Sequence, residues 1–300
     1  MIEIQNLDKK FEDKTHALKN ISIKFPDNQI TGLIGFNGSG KSTTFNIVSD
    51  FIEKYKGNVL FDGHPITMED KRTISYLAAG AEPKNKTKSI NQLIEAATLQ
   101  GMNKKEAKIL IENIAKKLEF TEYLKKPIGK LSKGNQQKVK IISTFLNPSV
   151  KYIFLDEPFD GLDPVMVEKV KAMYMDLHKN KKISIIITSH RMDVVQSMVK
   201  EFFVLKKGIL VDSKTNIEKN IFVKVNEKVK ITPIKKLNFV KSAIKKENKI
   251  LITIDKIENF KKLNKLLISD KEYIYSTIKE KNIAASVFKG ENISLGDSNE

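Results

Sequence analysis

Alternating and continuous apolar stretches divide the chain into segments that predict strands. Apolar and polar residues alternate over residues 2–7 and 21–25, which is typical of strands with one buried face. Continuous apolar runs over residues 30–34, 151–155 and 183–188 indicate strands that are buried on both faces, as in a parallel sheet. Shorter strands are expected around residues 57–63, 74–77 and 205–210. The pattern therefore predicts an α/β fold.

Apolar residues at helical spacing concentrate in the middle of the chain. A helix is expected over residues 90–101, with Ser89 as its cap, and another over residues 104–118, capped by Asn103. A helical subdomain is thus predicted at about residues 80–150, inserted into the α/β frame. The second of these helices has one apolar stripe, expected to be core, made of Ala107, Leu110, Ile111, Ile114 and Leu118.

The character of the sequence changes near residue 216. A helix is expected within the lysine-rich stretch at residues 260–267, among strand-like segments and without any chemical motif. We therefore predict two domains, residues 1–215 and a small α+β accessory domain at residues 216–300. The strand-like segments of the accessory domain are residues 222–225, 228–231 and 249–254.

The net charge, the lack of cysteine and the lack of long apolar runs limit the kinds of partner and site that we expect. The 300 residues carry a formal net charge of +17, but the lysines are spread along the whole chain, which favours a solvated surface over an anionic membrane or nucleic acid. The absence of cysteine excludes disulfides, thiolate metal sites and a cysteine nucleophile. No signal-peptide pattern and no apolar run of about 20 residues is present, so we expect a cytosolic chain whose membrane role would come through a partner.

The segment GFNGSGKST, residues 35–43, lies between a predicted strand and a predicted helix. A glycine, four residues and then Gly-Lys-Ser is the spacing of phosphate-binding loops. Glycines let the backbone N–H groups turn toward phosphate oxygens, and the start of a helix adds partial positive charge. In such a loop Lys41 reaches the phosphates and the Ser42 hydroxyl ligates Mg²⁺. A plain glycine-rich turn is the weaker alternative, since strand, loop and helix all occur in the required order.

Two adjacent carboxylates, Asp156 and Glu157, end the buried strand at residues 151–155. Neighbouring side chains of a strand point to opposite faces, so the two carboxylates can serve different reactants. A strand-end aspartate helps to hold Mg²⁺ in nucleoside-triphosphate enzymes. We therefore predict that Asp156 binds the metal and that Glu157 faces another reactant.

Three further positions remain ambiguous when their residues are taken alone. Ser132 and Gly134 begin a helix, where an ordinary cap is favoured over an anion site. Phe11 lies in a polar loop, and a small core anchor is favoured over stacking on an adenine ring. His190 follows a buried strand; a lone histidine is more often structural than catalytic, but this one lies at the sheet edge where ligand sites of α/β proteins collect.

Together these motifs, in this order and spacing, resemble an ABC-type ATPase over residues 1 to about 215. The form LSKGNQQ at residues 131–137 and the length of the cassette plus appendage are most similar to the ATP-binding subunit of a bacterial ABC exporter with separate permease chains. The resemblance implies a P-loop fold with a RecA-like α/β core, an antiparallel β subdomain and a helical subdomain.

The resemblance also implies a role for each matching residue. Lys41, Glu157 and His190 would be catalytic, Glu157 by polarising the attacking water and His190 by contacting the γ-phosphate. Ser42 and Asp156 would hold Mg²⁺. The residues implied in ATP binding are Phe11, Gly35, Asn37, Gly38, Ser39, Gly40, Lys41, Ser42, Thr43, Ser132, Gly134, Asp156 and Asp163.

The same resemblance implies a shared site. In this family Ser132 and Gly134 match residues that contact ATP on the other subunit, and Asp163 matches a residue that communicates across the dimer. The implied cofactors are ATP and Mg²⁺. The implied partners are an integral membrane permease and a second cassette, in a homodimer or a heterodimer, at the inner face of the cell membrane, with no direct nucleic-acid partner.

One departure from the family pattern concerns the end of the strand at residues 74–77. The family usually has a glutamine there, which helps to hold Mg²⁺, whereas this chain has Ala78 and Ala79, with Glu82 three residues beyond. One alternative is therefore a regulatory, weakly hydrolysing half of a heterodimer. The other alternative, a soluble ABC-type ATPase acting on nucleic acid or the ribosome, is disfavoured because the chain has one cassette and no sustained heptads.

Overall fold

The computed structural model describes residues 1–80, 86–189, 192–195, 197–216, 221–226, 231–246, 249–254, 263 and 278–280. The chain divides into two compact units, Met1–Thr215 and Asn216–Glu300.

An antiparallel sheet opens the first unit, with strand order β2-β1-β4-β5. Its central strand pairs Ile2 with both Phe25 and Phe61, and Ile4 with both Ile23 and Val59. All six side chains are buried, as the alternating pattern predicts for a sheet with one covered face. The strands are β1 (Ile2–Lys10), β2 (His16–Phe25), β4 (Lys56–Phe61) and β5 (His64–Pro65).

A six-stranded sheet forms the other layer, with strand order β10-β9-β3-β8-β7-β6. The neighbours β9 and β3, β3 and β8, β8 and β7, and β7 and β6 run parallel, so their carboxyl ends meet at one edge. Every residue of β3, β7 and β8 is buried, in agreement with their continuous apolar runs. The strands are β3 (Ile30–Ile34), β6 (Ile74–Leu77), β7 (Tyr152–Asp156), β8 (Ser184–Ser189), β9 (Glu201–Lys206) and β10 (Ile209–Asn216).

Seven α-helices of the first unit are described, of which three form the middle of the chain. The apolar stripe of α4 is buried as predicted, except that Leu110 is half-buried. The helices are α1 (Lys41–Val48), α2 (Met68–Arg72), α3 (Ser89–Leu99), α4 (Lys104–Lys117), α5 (Lys133–Thr144), α6 (Pro164–Lys181) and α7 (Met192–Val195), with short 3₁₀ turns at Thr121–Tyr123 and Ile128–Lys130. Among the described helices, none combines the length and apolar character needed to cross a bilayer.

The predicted caps of the two middle helices differ in outcome. The Asn103 side chain accepts a hydrogen bond from the Lys105 backbone N–H at 2.8 Å, which confirms it as the cap of α4. The prediction that Ser89 caps α3 is wrong, because Ser89 is the first residue of the helix and Lys88 holds the cap position. The Ser89 hydroxyl instead donates to the Lys126 carbonyl at 3.1 Å, which attaches the helix start to a neighbouring segment.

The second unit contains a four-stranded antiparallel sheet with strand order β12-β13-β11-β14. The prediction of a strand over residues 228–231 is wrong at Ile231, which begins a helix, and its other residues lie outside the described part. Most of the predicted helix at residues 260–267 also lies outside it. The elements are β11 (Ile221–Asn226), α8 (Ile231–Lys235), β12 (Val240–Lys246), β13 (Lys249–Ile254) and β14 (Ile278–Glu280).

Candidate functional site

A cavity of about 620 Å³ lies over the glycine-rich loop between β3 and α1. The loop reaches the cavity at the edge where the parallel strands end, and the end of β7 forms part of the wall. The predicted residues that line it are Phe11, Asn37, Gly38, Ser39, Gly40, Lys41, Ser42, Thr43, Asp156 and Glu157. The fold therefore brings most of the predicted site residues together.

Gly40 fixes how the loop enters α1. It has φ 108°, a conformation that glycine adopts without strain, and it occupies the cap position of the helix. A Cβ at this position would lie 2.6 Å from the Ala17 carbonyl oxygen in β2, so a side chain would push the loop away from the antiparallel sheet. Only glycine fits here, and it lets the loop pack closely against β2.

Lys41 is buried, and its ammonium group donates hydrogen bonds to the loop that precedes it. Its Nζ donates to the carbonyl of Gly35 at 2.7 Å and to the carbonyl of Phe36 at 3.2 Å, and lies 4.0 Å from Glu157 Oε1. Burial lowers the pKa of Lys41 below its ordinary value, although the charges of Glu157 and Asp156 oppose that shift. An additional anion in the cavity would therefore stabilise the charged form of Lys41.

Asp156 ends β7 with its two carboxylate oxygens in different surroundings. Oδ1 accepts a hydrogen bond from the Thr188 hydroxyl on the neighbouring strand β8. Oδ2 is buried and accepts no hydrogen bond from any residue that the structure describes. A buried carboxylate oxygen without a donor is costly, so this oxygen is suited to a cation.

The residues predicted to hold Mg²⁺ fit that ion. The Ser42 hydroxyl and the Asp156 carboxylate line the same cavity and supply only hard oxygen ligands. Within the described ranges, no group of three or more His, Cys, Asp or Glu side chains could hold a metal by itself. Mg²⁺ is usually held by one or two carboxylates together with substrate phosphates, so the Asp156 carboxylate is the kind of ligand that it takes.

Glu157 follows β7 in a left-handed backbone conformation, with φ 48°. Its backbone N–H donates to the Thr188 hydroxyl oxygen at 3.1 Å, and its carbonyl accepts from Gln137 Nε2 at 3.3 Å. The same Gln137 amide donates to the Pro158 carbonyl at 2.9 Å. Non-glycine residues rarely adopt this conformation, and these bonds from two different elements hold the backbone of Glu157 in it.

Ser132 and Gly134 lie at the start of α5 and do not line the cavity. The Ser132 hydroxyl accepts from the Asn135 backbone N–H at 3.3 Å, which is an ordinary helix cap. A Cβ on Gly134 would lie 2.5 Å from the Gly161 carbonyl oxygen, so the helix start packs backbone to backbone against the loop after β7. Their predicted contact with ATP on another subunit stays a prediction.

Asp163 and Gly35 are also absent from the cavity wall. Asp163 caps α6 by accepting the Met166 backbone N–H at 2.9 Å, and the hydrogen bond from that N–H lowers the pKa of Asp163. Asp160, in the same loop, lines the cavity instead. A role of Asp163 across a dimer therefore stays a prediction.

The position of Phe11 differs from the one that we expected from its residue type alone. It is 37% exposed and lines the cavity, so the expectation of a core anchor is wrong. The ammonium group of Lys9 lies 4.8 Å from the ring centroid. The exposed ring at the cavity is compatible with the predicted stacking on adenine.

The family departure lies on the cavity wall. Ala79 lines the cavity, and the Ala78 carbonyl accepts from Lys140 Nζ at 3.5 Å. His190, a predicted site residue, and Glu82, which follows the alanines in sequence, lie outside the described residues.

Sequence reasoning missed several residues that line the cavity: Thr15, His16, Lys19, Asp160 and Lys207. Lys207 belongs to the turn between β9 and β10, far from the loop along the chain. The adjoining Gly208 donates its N–H to the Ser39 carbonyl at 3.0 Å and accepts the Lys19 N–H at 2.8 Å. The only signal in the sequence is the Lys-Gly turn itself, which does not indicate the loop against which it packs.

Comparison with known proteins agrees with the geometry. Residues 18–160 match the sequence model of the ABC transporter family. The chain is 37% identical over 210 residues to an uncharacterised ABC transporter ATP-binding protein, YhaQ of Bacillus subtilis (strain 168), covering 69% of each chain. It is 30% identical over 225 residues to the zinc uptake system ATP-binding protein ZurA of Listeria innocua, covering 71% of this chain and 85% of that protein.

The fold also matches that of a solved relative. The structure of cbiO1 from Clostridium perfringens, part of the ABC transporter complex cbiONQ, has a TM-score of 0.59 at 27% identity and covers 71% of this chain and 87% of that chain. The predicted fold class is thereby confirmed. The protein belongs to the ABC transporter family, as an ATP-binding subunit with the cassette fold of the family's ATPases.

Proposed function

We propose that the chain hydrolyses Mg²⁺-ATP at a site completed by a second cassette, and that this hydrolysis drives export through a partner membrane permease. The observation that carries the proposal is the convergence of Lys41, Asp156 and Glu157 on one cavity over the glycine-rich loop. A buried cation at a helix start and two differently held carboxylates suit phosphoryl transfer, in which positioning and charge stabilisation supply most of the catalysis.

Each of these residues has a distinct task in the proposed reaction. The loop N–H groups and Lys41 bind the phosphates, and the phosphate charge offsets the cost of burying the lysine ammonium. Ser42 and Asp156 would hold Mg²⁺, which neutralises phosphate charge when bound. Glu157 orients a water molecule and accepts its proton, and its fixed backbone keeps the carboxylate beside the phosphates.

A second cassette is proposed because part of the implied site is missing from the cavity. Ser132 and Gly134 begin α5 away from the cavity wall, and the Ser132 residue itself is exposed. Their backbone N–H groups at the helix start suit an anion that is bound by another chain. The proposed site is therefore shared between two cassettes.

Export is the direction that we propose. It rests on the form LSKGNQQ at residues 131–137 and on a cassette followed by a second unit, Asn216–Glu300. The relative ZurA is named for uptake, so a direct transport assay has to decide the direction. The assay would use membrane vesicles of both orientations that contain the chain and its co-purified permease. ATP-driven movement of substrate away from the side of the cassette would show export, and movement toward that side would show uptake.

The first test is ATP hydrolysis by the purified chain over a range of protein concentrations, beside Glu157→Gln. We expect Mg²⁺-dependent activity that rises more than linearly with concentration, since two chains form each site. Glu157→Gln keeps the shape of the side chain but cannot accept the proton, so it should bind ATP without turnover. Activity strictly proportional to concentration would contradict the shared site, and full activity of the variant would contradict the role of Glu157.

A second candidate, a regulatory half that binds ATP and hydrolyses it weakly, is favoured by Ala79 on the cavity wall. The same assay separates the two. Tight ATP binding with negligible turnover in the wild type, recovered only when a second, different cassette is added, would support the regulatory half.

A further inference from the structure

The hydroxyl of Thr188 lies between the two carboxylate residues of the proposed site. Thr188 is fully buried in β8, and the parallel register places it opposite Asp156 of β7. Its hydroxyl donates to Asp156 Oδ1 and accepts the Glu157 backbone N–H at 3.1 Å. One oxygen atom therefore contacts both residues that are proposed to perform the chemistry.

The direction of both hydrogen bonds is fixed by chemistry. An ionised carboxylate can only accept and a backbone N–H can only donate, so the single hydroxyl proton must point to Asp156. This occupies Oδ1 and leaves Oδ2, which has no donor among the described residues, for a cation. The hydroxyl thus selects which oxygen of Asp156 remains available.

The second bond acts on the backbone of Glu157. That residue has φ 48°, and its N–H also points to the Thr188 carbonyl at 3.3 Å. On the other side its carbonyl is held by Gln137 of α5. Thr188 and Gln137 therefore fix the two ends of one residue in a conformation that non-glycine residues rarely adopt.

We infer that Thr188 is a positioning residue that orients Asp156 toward the metal and Glu157 toward the water at the same time. The inference rests on the proposed function, because it assigns Thr188 a task only if those two carboxylates act as proposed. Removing the hydroxyl takes away the donor that Asp156 Oδ1 has among the described residues, and it removes the shorter of the two contacts that the Glu157 N–H makes with Thr188.

The test compares Thr188→Val, which keeps the shape but loses the hydroxyl, with Thr188→Ser, which keeps the hydroxyl. The first readout needs no turnover: Mn²⁺ binding to the full chain with ADP, followed by electron paramagnetic resonance. Thr188→Val should weaken Mn²⁺ binding by about tenfold and lower kcat by about tenfold to a hundredfold, as expected for a residue that orients a metal ligand. Nucleotide affinity in EDTA should change by less than about twofold, because the loop contacts are intact.

Thr188→Ser should recover most of both losses, whereas a role in packing alone would make serine, which lacks the methyl group, the worse variant. The matched control is Thr144→Val, which removes another buried hydroxyl, bonded to Tyr174 and not part of the cavity wall. It should lower stability without changing Mn²⁺ binding. If Thr188→Val fails to fold, Thr188→Ala provides the same comparison with a smaller side chain.

Equal Mn²⁺ affinity and equal kcat in Thr188→Val and Thr188→Ser would overturn the inference while leaving the proposed function intact. Failure of the wild type to bind nucleotide or Mn²⁺ would instead contradict the proposed function. The two failures are therefore distinguishable within one set of measurements.

Discussion

Two neighbouring strands, β6 and β7, end at the same edge of the sheet but differ in what they present to the cavity. They pair in register with Leu77 opposite Leu155, so Ala78, the residue after β6, corresponds to Asp156, the last residue of β7. After β7, side chains from β8 and α5 hold both carboxylate residues. After β6, Ala79 reaches the cavity with a methyl group.

The comparison shows that position at the sheet edge does not by itself bring a polar side chain to the cavity. Both strand ends are close to the phosphate loop, and the backbone at β6 is also held, by Lys140 on the Ala78 carbonyl. Among the described residues at these two strand ends, only those of β7 have polar side chains together with the partners that orient them. The absence of the family's glutamine from this chain therefore affects the β6 end and leaves the residues of the β7 end in place.

The largest expected effect comes from removing the metal ligand at the β7 end. Asp156→Asn neutralises the only carboxylate oxygen that we assign to Mg²⁺, and turnover should fall by at least about a hundredfold, since metal stabilisation of the transition state is worth several kcal/mol. Mg²⁺-dependent ATPase rates would measure it. Asp176→Asn, on the exposed surface of α6, is the control. Substantial turnover in Asp156→Asn would contradict the difference between the two strand ends, because the β7 end would then supply no essential metal ligand.

A smaller effect is expected when an orienting partner of the β7 end is removed. Gln137→Leu leaves the Glu157 and Pro158 carbonyls without their donor, which should cost about 1–3 kcal/mol of unfolding free energy and about tenfold in turnover. Denaturant unfolding and ATPase rates would measure the two.

The matched control for that change is the neighbouring Gln136→Leu. Gln136 also donates to two carbonyls, but they are those of Ile128 and Leu131. It should lower stability similarly with a much smaller loss of turnover. Equal loss of turnover in both variants would mean that α5 acts through stability alone.

The β6 end can be tested by restoring a polar group. Ala79→Gln places an amide on the cavity wall, and one additional hydrogen bond in the transition state would raise turnover by about threefold to tenfold. Steady-state rates over a range of Mg²⁺ concentrations would measure it, with Ala79→Leu as the control for size. An unchanged rate and Mg²⁺ dependence would mean that the missing glutamine has no catalytic meaning in this chain.

The smallest effect concerns the pH dependence of stability in the nucleotide-free protein. Because the pKa of Lys41 is lowered in the folded state, the unfolded chain binds more protons, and stability rises as pH increases between the lowered pKa and the ordinary value. Lys41→Met removes this contribution. Near neutral pH the free energy of unfolding of the variant should lie within about 1 kcal/mol of the wild-type value, and above neutral pH it should increase less with pH than that of the wild type. Denaturant unfolding at several pH values would measure it.

Lys104→Met, at the exposed start of α4, is the control for that measurement. Lys41→Met should nevertheless lose ATP binding. The variant therefore separates the effect of the buried charge on stability from its role in binding ATP. A strong loss of stability at neutral pH would show that the ammonium group holds the empty loop together.

The parts of the molecule that the sequence predicted are those with a local cause. Continuous apolar runs predicted β3, β7 and β8, and the glycine spacing predicted the phosphate loop. Asp156 and Glu157 were predicted because they end a strand next to such a loop. Each of these signals lies within about ten consecutive residues.

What the sequence did not predict depends on register and on distant packing. Thr188 lies 32 residues from Asp156, and only the pairing of β7 with β8 brings the two together. Lys207 reaches the cavity because its turn packs on the loop. In the second unit β12 was missed, because its lysines and serine interrupt the apolar pattern that marks a strand.

The backbone contact between Gly134 and Gly161 has a practical consequence for spectroscopy. With no side chain between them, the start of α5 and the loop after β7 cannot shift separately by rotamer changes. The chain contains no cysteine, so Lys133→Cys on the exposed helix start would give a single labelling position. A nitroxide there would report on both segments at once, and the distance between two such labels would follow the gap between paired cassettes through the nucleotide cycle.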